Sequence, residues 1–154
     1  MKVIEEKKSL FQSNGKRTAL FHACNTFGKC ERGIAVEFKK RFPECYHEYV
    51  RFCKATKTEE KIGKCLLVKS KSGIFIAWLF TSKGYGKYRD SEEKILVQTE
   101  SALNDFLKQL EEEEVNEIKG CKINNGCFAV PWKRTLEVFK RIDSNRTIVI
   151  CTLK

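Results

Sequence analysis

Short apolar runs alternate with amphipathic segments along almost the whole chain, and this alternation limits the folds that the chain can adopt. Apolar runs bounded by turn residues predict buried strands, and apolar residues three and four positions apart predict helices. The predicted strands are Thr18–Cys24, Gly63–Val68, Ile74–Thr81, Gly120–Ile123 and Thr147–Leu153, and the predicted helices are Gly33–Phe42, Cys45–Cys53, Ser91–Glu114 and Trp132–Ile142. Strands and helices in this order predict a three-layer α/β fold built on a central sheet.

Length and charge set the size of the fold and the kind of partner. A chain of 154 residues with 42% hydrophobic content suits a single domain, residues 1–154, with one core. Its 30 Lys and Arg against 20 Asp and Glu give a net charge of +10, which favours an anionic partner such as a nucleotide, nucleic acid or an acidic surface. The basic residues are spread along the chain, so a role in solubility alone explains the charge equally well. We expect a monomer, because packing of the helices on the sheet leaves no exposed apolar stripe.

Cysteine usage and the N-terminus indicate where the chain works. Residues 1–8 contain no apolar segment of a secretory signal, so we expect an intracellular protein, cytoplasmic or nuclear, whose 8 cysteines are mostly buried free thiols. Their spacings match no common zinc site, and we therefore predict no metal and no cofactor. No apolar run approaches the roughly 20 residues of a membrane span, which predicts a soluble protein.

Three loops that follow predicted strands carry glycine, amide and hydroxyl residues. They span residues 22–35, 81–89 and 124–132. In open α/β sheets a ligand binds beyond the carboxyl ends of the strands, and exposed backbone N–H groups at a strand-to-helix turn bind anions. Two such loops on either side of a cleft predict a pyrophosphate site, with Phe128 or Tyr85 stacked on a ring of the ligand.

The order of elements and these loops together resemble the macro domain family, whose members bind ADP-ribose. The resemblance covers nearly the whole chain, from Met1 to Leu153, and implies a three-layer α/β/α macro domain with a central mixed sheet. It is strongest to the small ADP-ribose 1''-phosphate phosphatases of the yeast type. The segments that carry it are His22-Ala23-Cys24-Asn25, Gly33-Ile34-Ala35, Leu79-Phe80-Thr81-Ser82, Ile123-Asn124-Asn125-Gly126 and Val130-Pro131-Trp132.

This resemblance implies hydrolysis of ADP-ribose 1''-phosphate, a by-product of tRNA splicing, to ADP-ribose and inorganic phosphate without a metal. His22 and Asn25 would lie near the terminal ribose and its phosphate, where an imidazole can activate a water or protonate a leaving oxygen. A core histidine that is hydrogen-bonded at a strand end is the alternative for His22. The implied binding residues are Lys8, Ser9 and Leu10 for the adenine, Ala23, Cys24 and Asn25 for the distal ribose, and Cys30, Glu31, Arg32, Gly33, Ile34, Ala35, Asn124, Asn125, Gly126, Cys127, Phe128, Ala129 and Val130 for the phosphates.

A second resemblance is to macro-domain hydrolases that remove ADP-ribose from acidic side chains or from DNA, through the segment Gly33–Phe42. Their mechanism uses a lysine that attacks the ribose. Here Ser82 stands at the position of that lysine and Lys83 follows it, which adds Lys83 to the predicted catalytic residues and Ser82 to the predicted binding residues. Phe128 stands where this chemistry needs an aspartate, so the phosphatase reaction is preferred.

Two positions depart from the family pattern and keep other functions open. Ser9 stands where an Asn or Asp usually accepts a hydrogen bond from the adenine amino group, and residues 29–32 replace glycines that let backbone approach a ligand closely. These departures favour a non-catalytic reader that binds ADP-ribose or an ADP-ribosylated macromolecule. A nucleic-acid binder that uses the positive charge is a further alternative, and its affinity would fall steeply with salt.

Overall fold

The computed structural model describes residues 1–12, 14–29 and 32–152. Its strands are β1 (Lys2–Lys7), β2 (Thr18–Asn25), β3 (Cys65–Lys69), β4 (Phe75–Ser82), β5 (Glu117–Gly120) and β6 (Thr147–Thr152). Its helices are α1 (Ile34–Arg41), α2 (Pro43–Ala55), α3 (Thr58–Lys61), α4 (Glu92–Leu110) and α5 (Trp132–Arg141), with a short 3-10 helix at Gly86–Tyr88.

The strands form one six-stranded mixed sheet in the order β1-β6-β5-β2-β4-β3. Each neighbouring pair is parallel except β3 and β4, which pair antiparallel as the hairpin at residues 71–73 predicts. The five parallel strands therefore end at the same edge of the sheet, which we call the carboxyl edge. The loops that leave β2, β4 and β5 meet there, as expected for an α/β sheet.

Helices cover both faces of the sheet, which confirms the three-layer arrangement. Residues of β2 and β4 alternate between two apolar clusters, because successive side chains of a strand point to opposite faces. Phe21 and Leu79 pack in the cluster that contains residues of α4 and α5. Leu20 and Trp78 pack in the cluster that contains residues of α1 and α2. Every residue of β4 is buried, as expected for a strand with a helix layer on each side.

Gly120 of β5 leaves room for the ring of Phe21, which lies on the neighbouring strand β2. A Cβ atom on Gly120 of β5 would lie 2.2 Å from the ring of Phe21, far closer than atoms can approach. Phe21 is fully buried and packs beside Phe106 of α4 and Phe139 of α5, with ring centroids 6.0 and 5.9 Å away. The missing side chain at Gly120 thus gives this part of the core its aromatic packing.

Two strands differ from the sequence-based expectation. The strand predicted at Gly120–Ile123 lies three residues earlier, at Glu117–Gly120. The charged residues of β5 do not fit the apolar pattern of a buried strand. Lys119 is nevertheless buried, because its ammonium donates to the Asn14 side-chain oxygen at 2.7 Å and pairs with the Glu117 carboxylate at 3.2 Å. Strand β1 was not predicted because it lies at the sheet edge and mixes charged with apolar residues.

The state of the cysteines and the character of the helices bear on the environment in which the chain folds. The seven cysteines within the described residues are free thiols, and four of them are buried. Among the helices of the described ranges, none has both the length and the apolar character needed to cross a bilayer.

Candidate functional site

Three loops converge at the carboxyl edge. Loop 1 (residues 26–33) joins β2 to α1, loop 2 (residues 83–91) joins β4 to α4, and loop 3 (residues 121–131) joins β5 to α5. Because β5, β2 and β4 are adjacent in the sheet, the three loops lie side by side. The sequence placed the candidate site at these loops.

Asn25, a predicted catalytic residue, holds the start of loop 1 in shape. Its side chain is buried; its amide donates to the Lys29 carbonyl at 3.0 Å, and its oxygen accepts from the Phe27 N–H at 2.9 Å. The buried hydroxyl of Tyr49 donates to the Asn25 carbonyl at 2.7 Å. The Asn25 side chain is thus occupied within the protein, where it sets the turn that leaves β2.

A buried lysine and a threonine tie loop 1 to its neighbours. The Lys61 ammonium, 2% exposed, donates to the Thr26 carbonyl at 3.0 Å and to the Cys53 carbonyl at 2.7 Å. The backbone N–H and the hydroxyl of Thr26 both donate to the Lys83 carbonyl, at 3.0 and 2.6 Å. Loops 1 and 2 and the end of α2 therefore form one hydrogen-bonded unit.

Helix α1 begins at the carboxyl edge with open backbone donors. Gly33 precedes it with φ 65° and ψ −146°, a conformation that favours glycine, and no side chain of the described residues caps the first turn. Arg32 and Gly33 are exposed, and Ile34 and Ala35 are half-buried. An uncapped helix start beside an exposed arginine attracts anions. Cys30 and Glu31, predicted to bind phosphates, lie outside the described residues.

Loop 3 is anchored by Asn124. Its backbone has φ 70°, a left-handed conformation that Asn tolerates, and its buried side chain reaches three threonines. The Asn124 oxygen accepts from the Thr81 hydroxyl at 2.8 Å, and its amide donates to the hydroxyls of Thr99 at 3.0 Å and Thr135 at 3.5 Å. The side chain of Asn124, a predicted phosphate-binding residue, thus joins β4, α4 and α5 beneath the loop.

The tip of loop 3 presents free backbone donors. Asn125, Gly126 and Cys127 are exposed, and the loop is closed by bonds from Val130 N–H to the Asn124 carbonyl and from Ala129 N–H to the Gly126 carbonyl, at 2.8 and 3.0 Å. The N–H groups of residues 126–128 donate to no acceptor within the described parts of the chain. Consecutive free N–H groups at a strand-to-helix turn form an anion-binding surface.

The apolar residues of loop 3 face inward. Phe128 is 9% exposed and Val130 is 1% exposed, and both pack in the cluster on the α4 and α5 side. The prediction that Phe128 stacks on a ligand ring is therefore not supported, because its ring is committed to the core. Tyr85 is half-buried and packs edge-on against the exposed ring of Phe27, with centroids 6.0 Å apart.

The position of His22 does not fit its predicted catalytic role. The ring is 0% exposed, stacks on Phe38 with centroids 4.1 Å apart, and meets Trp78 edge-on at 4.3 Å. Neither ring nitrogen makes a hydrogen bond of normal geometry to the described residues. Burial lowers the pKa of His22 to about 3, and contact with the Ala23 backbone opposes this only in part. The alternative, a core histidine that is hydrogen-bonded at a strand end, is right about burial only. His22 lies within β2, and its ring nitrogens have no hydrogen-bond partner among the described residues.

Ser82 and Lys83 occupy the start of loop 2 in different ways. The buried Ser82 hydroxyl donates to the Gly84 carbonyl at 2.8 Å and accepts from the Asp90 N–H at 3.1 Å, so it shapes the loop. Lys83 is exposed, its N–H donates to the Asp90 carboxylate at 2.8 Å, and it lines an open pocket of about 690 Å³ between α3 and α4. No described residue of loop 1 or loop 3 lines that pocket, so Lys83 lies apart from them.

The segment after β1 reaches the same edge on the α1 side. Leu10 and Cys24 are buried together with α1 residues, whereas Ala23 packs toward the opposite face. The Ser9 hydroxyl accepts from the Phe11 N–H at 3.2 Å, and the half-buried Lys8 pairs with Glu6 at 2.8 Å. Hydrogen bonding to Glu6 raises the pKa of Lys8.

Sequence reasoning missed the residues that hold the loops. Thr81, Thr99 and Thr135 beneath loop 3 and Lys61 beside loop 1 are buried polar side chains whose partners come from distant segments. One feature of the sequence indicates such residues: they stand at positions where the helix or strand pattern predicts a buried apolar side chain. A polar side chain at such a position needs a buried hydrogen-bond partner. The identity of that partner depends on the three-dimensional fold.

Comparison with known proteins extends these observations. The Macro domain family model matches residues 21–139. The ADP-ribose 1''-phosphate phosphatase of Chaetomium globosum is 34% identical over 144 residues, covering 82% of this chain and 78% of that protein. The protein of the same name from Lodderomyces elongisporus is 36% identical over 140 residues, covering 84% of each chain.

Solved structures of low sequence identity share the fold. The macrodomain of Mycobacterium tuberculosis DarG is similar with a TM-score of 0.75 at 20% identity, covering 96% of each chain. Thermosipho africanus DarTG, solved in complex with ADP-ribose, is similar with a TM-score of 0.73 at 18% identity, covering 99% of this chain and 42% of that one. The family model, the relatives above 30% identity and the six-stranded mixed sheet between helix layers agree, and this chain belongs to the macro domain family.

Proposed function

We propose that this protein hydrolyses ADP-ribose 1''-phosphate to ADP-ribose and inorganic phosphate. Two relatives that cover most of the chain carry the name of this activity. The structural observation that carries the proposal is the set of free N–H groups at residues 126–128, beside the uncapped start of α1 at the same edge of the sheet. Together they offer donors for the several phosphate groups of one ligand.

The free N–H groups supply the electrostatics that phosphate hydrolysis needs. A water oxygen attacks phosphorus, the bond from phosphorus to the ribose oxygen breaks, and that oxygen takes up a proton. Negative charge is spread over the phosphoryl oxygens in the transition state. Fixed backbone donors stabilise this charge without reorganisation, because residues 124–130 are already held by the bonds from Val130 and Ala129.

The ligand lies along the carboxyl edge in this proposal. The pyrophosphate spans the first turn of α1 and the tip of loop 3, which lie beyond the adjacent strands β2 and β5. The adenine lies toward residues 8–10, where Ser9 offers a hydroxyl in place of a carboxylate or amide. Binding of ADP-ribose relies on phosphate contacts more than on recognition of the base.

Binding of ADP-ribose without turnover is the second candidate. The positions of the predicted catalytic side chains favour this candidate. His22 is buried between aromatic rings, and the polar side-chain atoms of Asn25 form hydrogen bonds within loop 1. Neither side chain reaches a bound phosphate unless loop 1 and the core around it rearrange. A reader needs only the backbone donors, whereas the phosphatase also needs a route for the proton.

A phosphorus NMR time course with ADP-ribose 1''-phosphate and a metal chelator separates these functions. The proposal predicts growth of the inorganic phosphate signal while the pyrophosphate signals keep their positions. Broadened or shifted pyrophosphate signals without phosphate release would establish the reader and overturn the phosphatase. Signals that stay sharp and unshifted at high protein concentration would exclude both.

A further inference from the structure

A second pocket lies behind loop 1, on the side that faces α1 and α2. It has a volume of about 300 Å³ and is lined by the start of loop 1, by Lys39 of α1, and by Tyr46, Val50, Cys53 and Lys54 of α2. No residue of loop 3 or of the first turn of α1 contributes to it. The pocket is therefore separate from the proposed ADP-ribose site.

Three exposed lysines line this pocket, and none of its lining residues in the described ranges is acidic. They are Lys29 of loop 1, Lys39 and Lys54. None of the three forms an ion pair with a carboxylate within the described ranges. The buried ammonium of Lys61, on the Cys53 carbonyl at 2.7 Å, adds a fourth positive charge beneath the pocket wall.

The nearby carboxylates of α1 and α2 are engaged elsewhere. Glu37 pairs with Arg41 at 3.3 Å and Glu48 pairs with Arg51 at 2.9 Å, each within its own helix. Glu44 accepts from the Lys71 N–H at 2.9 Å. Because like charges held near one another repel, a pocket with this arrangement gains stability when an anion enters.

Loop 1 and α1 each contact α2 at the pocket. Gly28 has φ 75°, and a Cβ atom on it would lie 3.4 Å from Cys53 Cβ, so loop 1 packs closely on α2 at this point. The Lys39 ammonium lies 4.7 Å from the centroid of the Tyr46 ring, where the ring face attracts it. Lys39 is exposed, and this contact directs its ammonium toward the Tyr46 side of the pocket.

We propose that this pocket binds a small phosphate-bearing ligand, independently of the proposed hydrolase site. Three ammonium groups from separate segments match the several oxygens and the double charge of a phosphate monoester. A carboxylate carries a single charge and is best matched by the paired donors of an arginine, which the pocket lacks. The exposed face of Phe27 and the ring of Tyr46 give an organic group on the phosphate an apolar surface.

Amide-resolved NMR of the full chain tests this proposal with inorganic phosphate as the probe, at constant ionic strength and with ADP-ribose present to fill the other site. We expect Gly28, Lys29 and the α2 residues that line the pocket to shift along one saturating curve. The double variant Lys39→Gln, Lys54→Gln should bind at least about tenfold more weakly, because it loses two charge-assisted contacts. The control Lys133→Gln, Lys140→Gln changes the net charge equally at exposed positions of α5 and should bind within about twofold of the wild type.

Three results would overturn the proposal. Equal weakening in both double variants would show that phosphate responds only to net charge. Shifts confined to residues outside the pocket, such as the tip of loop 3, would place the phosphate elsewhere. The third result concerns a short single-stranded oligonucleotide that shifts the amide signals of the same residues. If it binds more tightly than inorganic phosphate and its affinity falls steeply with salt, the pocket is part of a nucleic-acid surface.

Discussion

His22 shows how its neighbours decide what a histidine can do. The resemblance of His22-Ala23-Cys24-Asn25 to the phosphatase segment implied a catalytic imidazole. In the fold the ring lies between Phe38 and Trp78 with no exposed surface. Protonating it would place a charge in an apolar layer, which is why burial lowers the pKa of His22 to about 3.

The pKa of His22 predicts a pH dependence of stability. Below pH 6.5 the unfolded chain takes up a proton at this position, whereas the folded chain stays neutral down to a pKa of about 3. The free energy of unfolding is therefore highest above pH 6.5 and falls as the pH drops toward 3, by up to about 1.4 kcal/mol per pH unit from this residue alone. Denaturant titrations at a series of pH values measure this slope.

A variant isolates the contribution of His22. In His22→Phe the slope between pH 6.5 and 3 should decrease relative to the wild type, while His47→Gln, which removes the exposed histidine of α2, should leave the His22 contribution in place. The folded His22→Phe protein should also retain any phosphate release that the wild type shows. An unchanged slope, or turnover lost in a variant of native fold, would contradict this account of His22.

At the scale of elements, loop 3 is fixed at its base by buried hydrogen bonds and is exposed at its tip. Asn124 joins the hydroxyls of Thr81, Thr99 and Thr135, so β4, α4 and α5 fix the base of the loop. The tip then presents its N–H groups without help from side chains. This division explains why a loop with few conspicuous functional groups can bind an anion: the buried network provides the rigidity that backbone donors need.

Removing one N–H group from loop 3 tests this role. Gly126→Pro deletes the donor at position 126, and Gly126→Ala keeps it while adding a Cβ atom that meets no protein atom within 4 Å. Because loss of one preorganised donor commonly lowers kcat by about 100-fold or more, the Pro variant should be slower than the Ala variant by at least about tenfold. Steady-state kinetics of phosphate release measure the ratio, with circular dichroism as the check on folding. Equal rates would show that this N–H group does not contact the transferred phosphate.

The elements differ in how well the sequence predicted them. Strand β4 and helix α4 were predicted because their burial follows a simple pattern: β4 is buried throughout, and α4 buries one stripe. Strand β5 was placed three residues late because Lys119 is buried through a distant partner, Asn14. Pattern reasoning uses hydrophobicity alone, so it misses segments whose charges are neutralised by contacts across the fold.

The same limit applies to the candidate site. The sequence located the three loops, because strand ends and turn residues are local features. The family resemblance implied ligand-binding roles for Asn25, Ser82 and Asn124, whose side chains shape those loops in the structure. Amides and hydroxyls suit both tasks, and only their partners distinguish them.

At the scale of the whole molecule, topology places the two proposed anion sites around one loop. The parallel order of β5, β2 and β4 brings loops 3, 1 and 2 together at the carboxyl edge, while α1 and α2 form the lysine-lined pocket behind loop 1. The net charge of +10 is thus not only a property of the whole surface. Part of it is concentrated at a pocket beside the proposed catalytic edge.

Amide-resolved NMR during a titration with ADP-ribose tests the central claim most directly, because it reports which backbone N–H groups meet the ligand. The account predicts the largest shift changes at residues 126–128 and in the first turn of α1, with small changes at residues 46–54 of α2. Changes that leave residues 126–128 unaffected, or no saturable change anywhere, would contradict the assignment of the phosphate site to the first turn of α1 and the tip of loop 3.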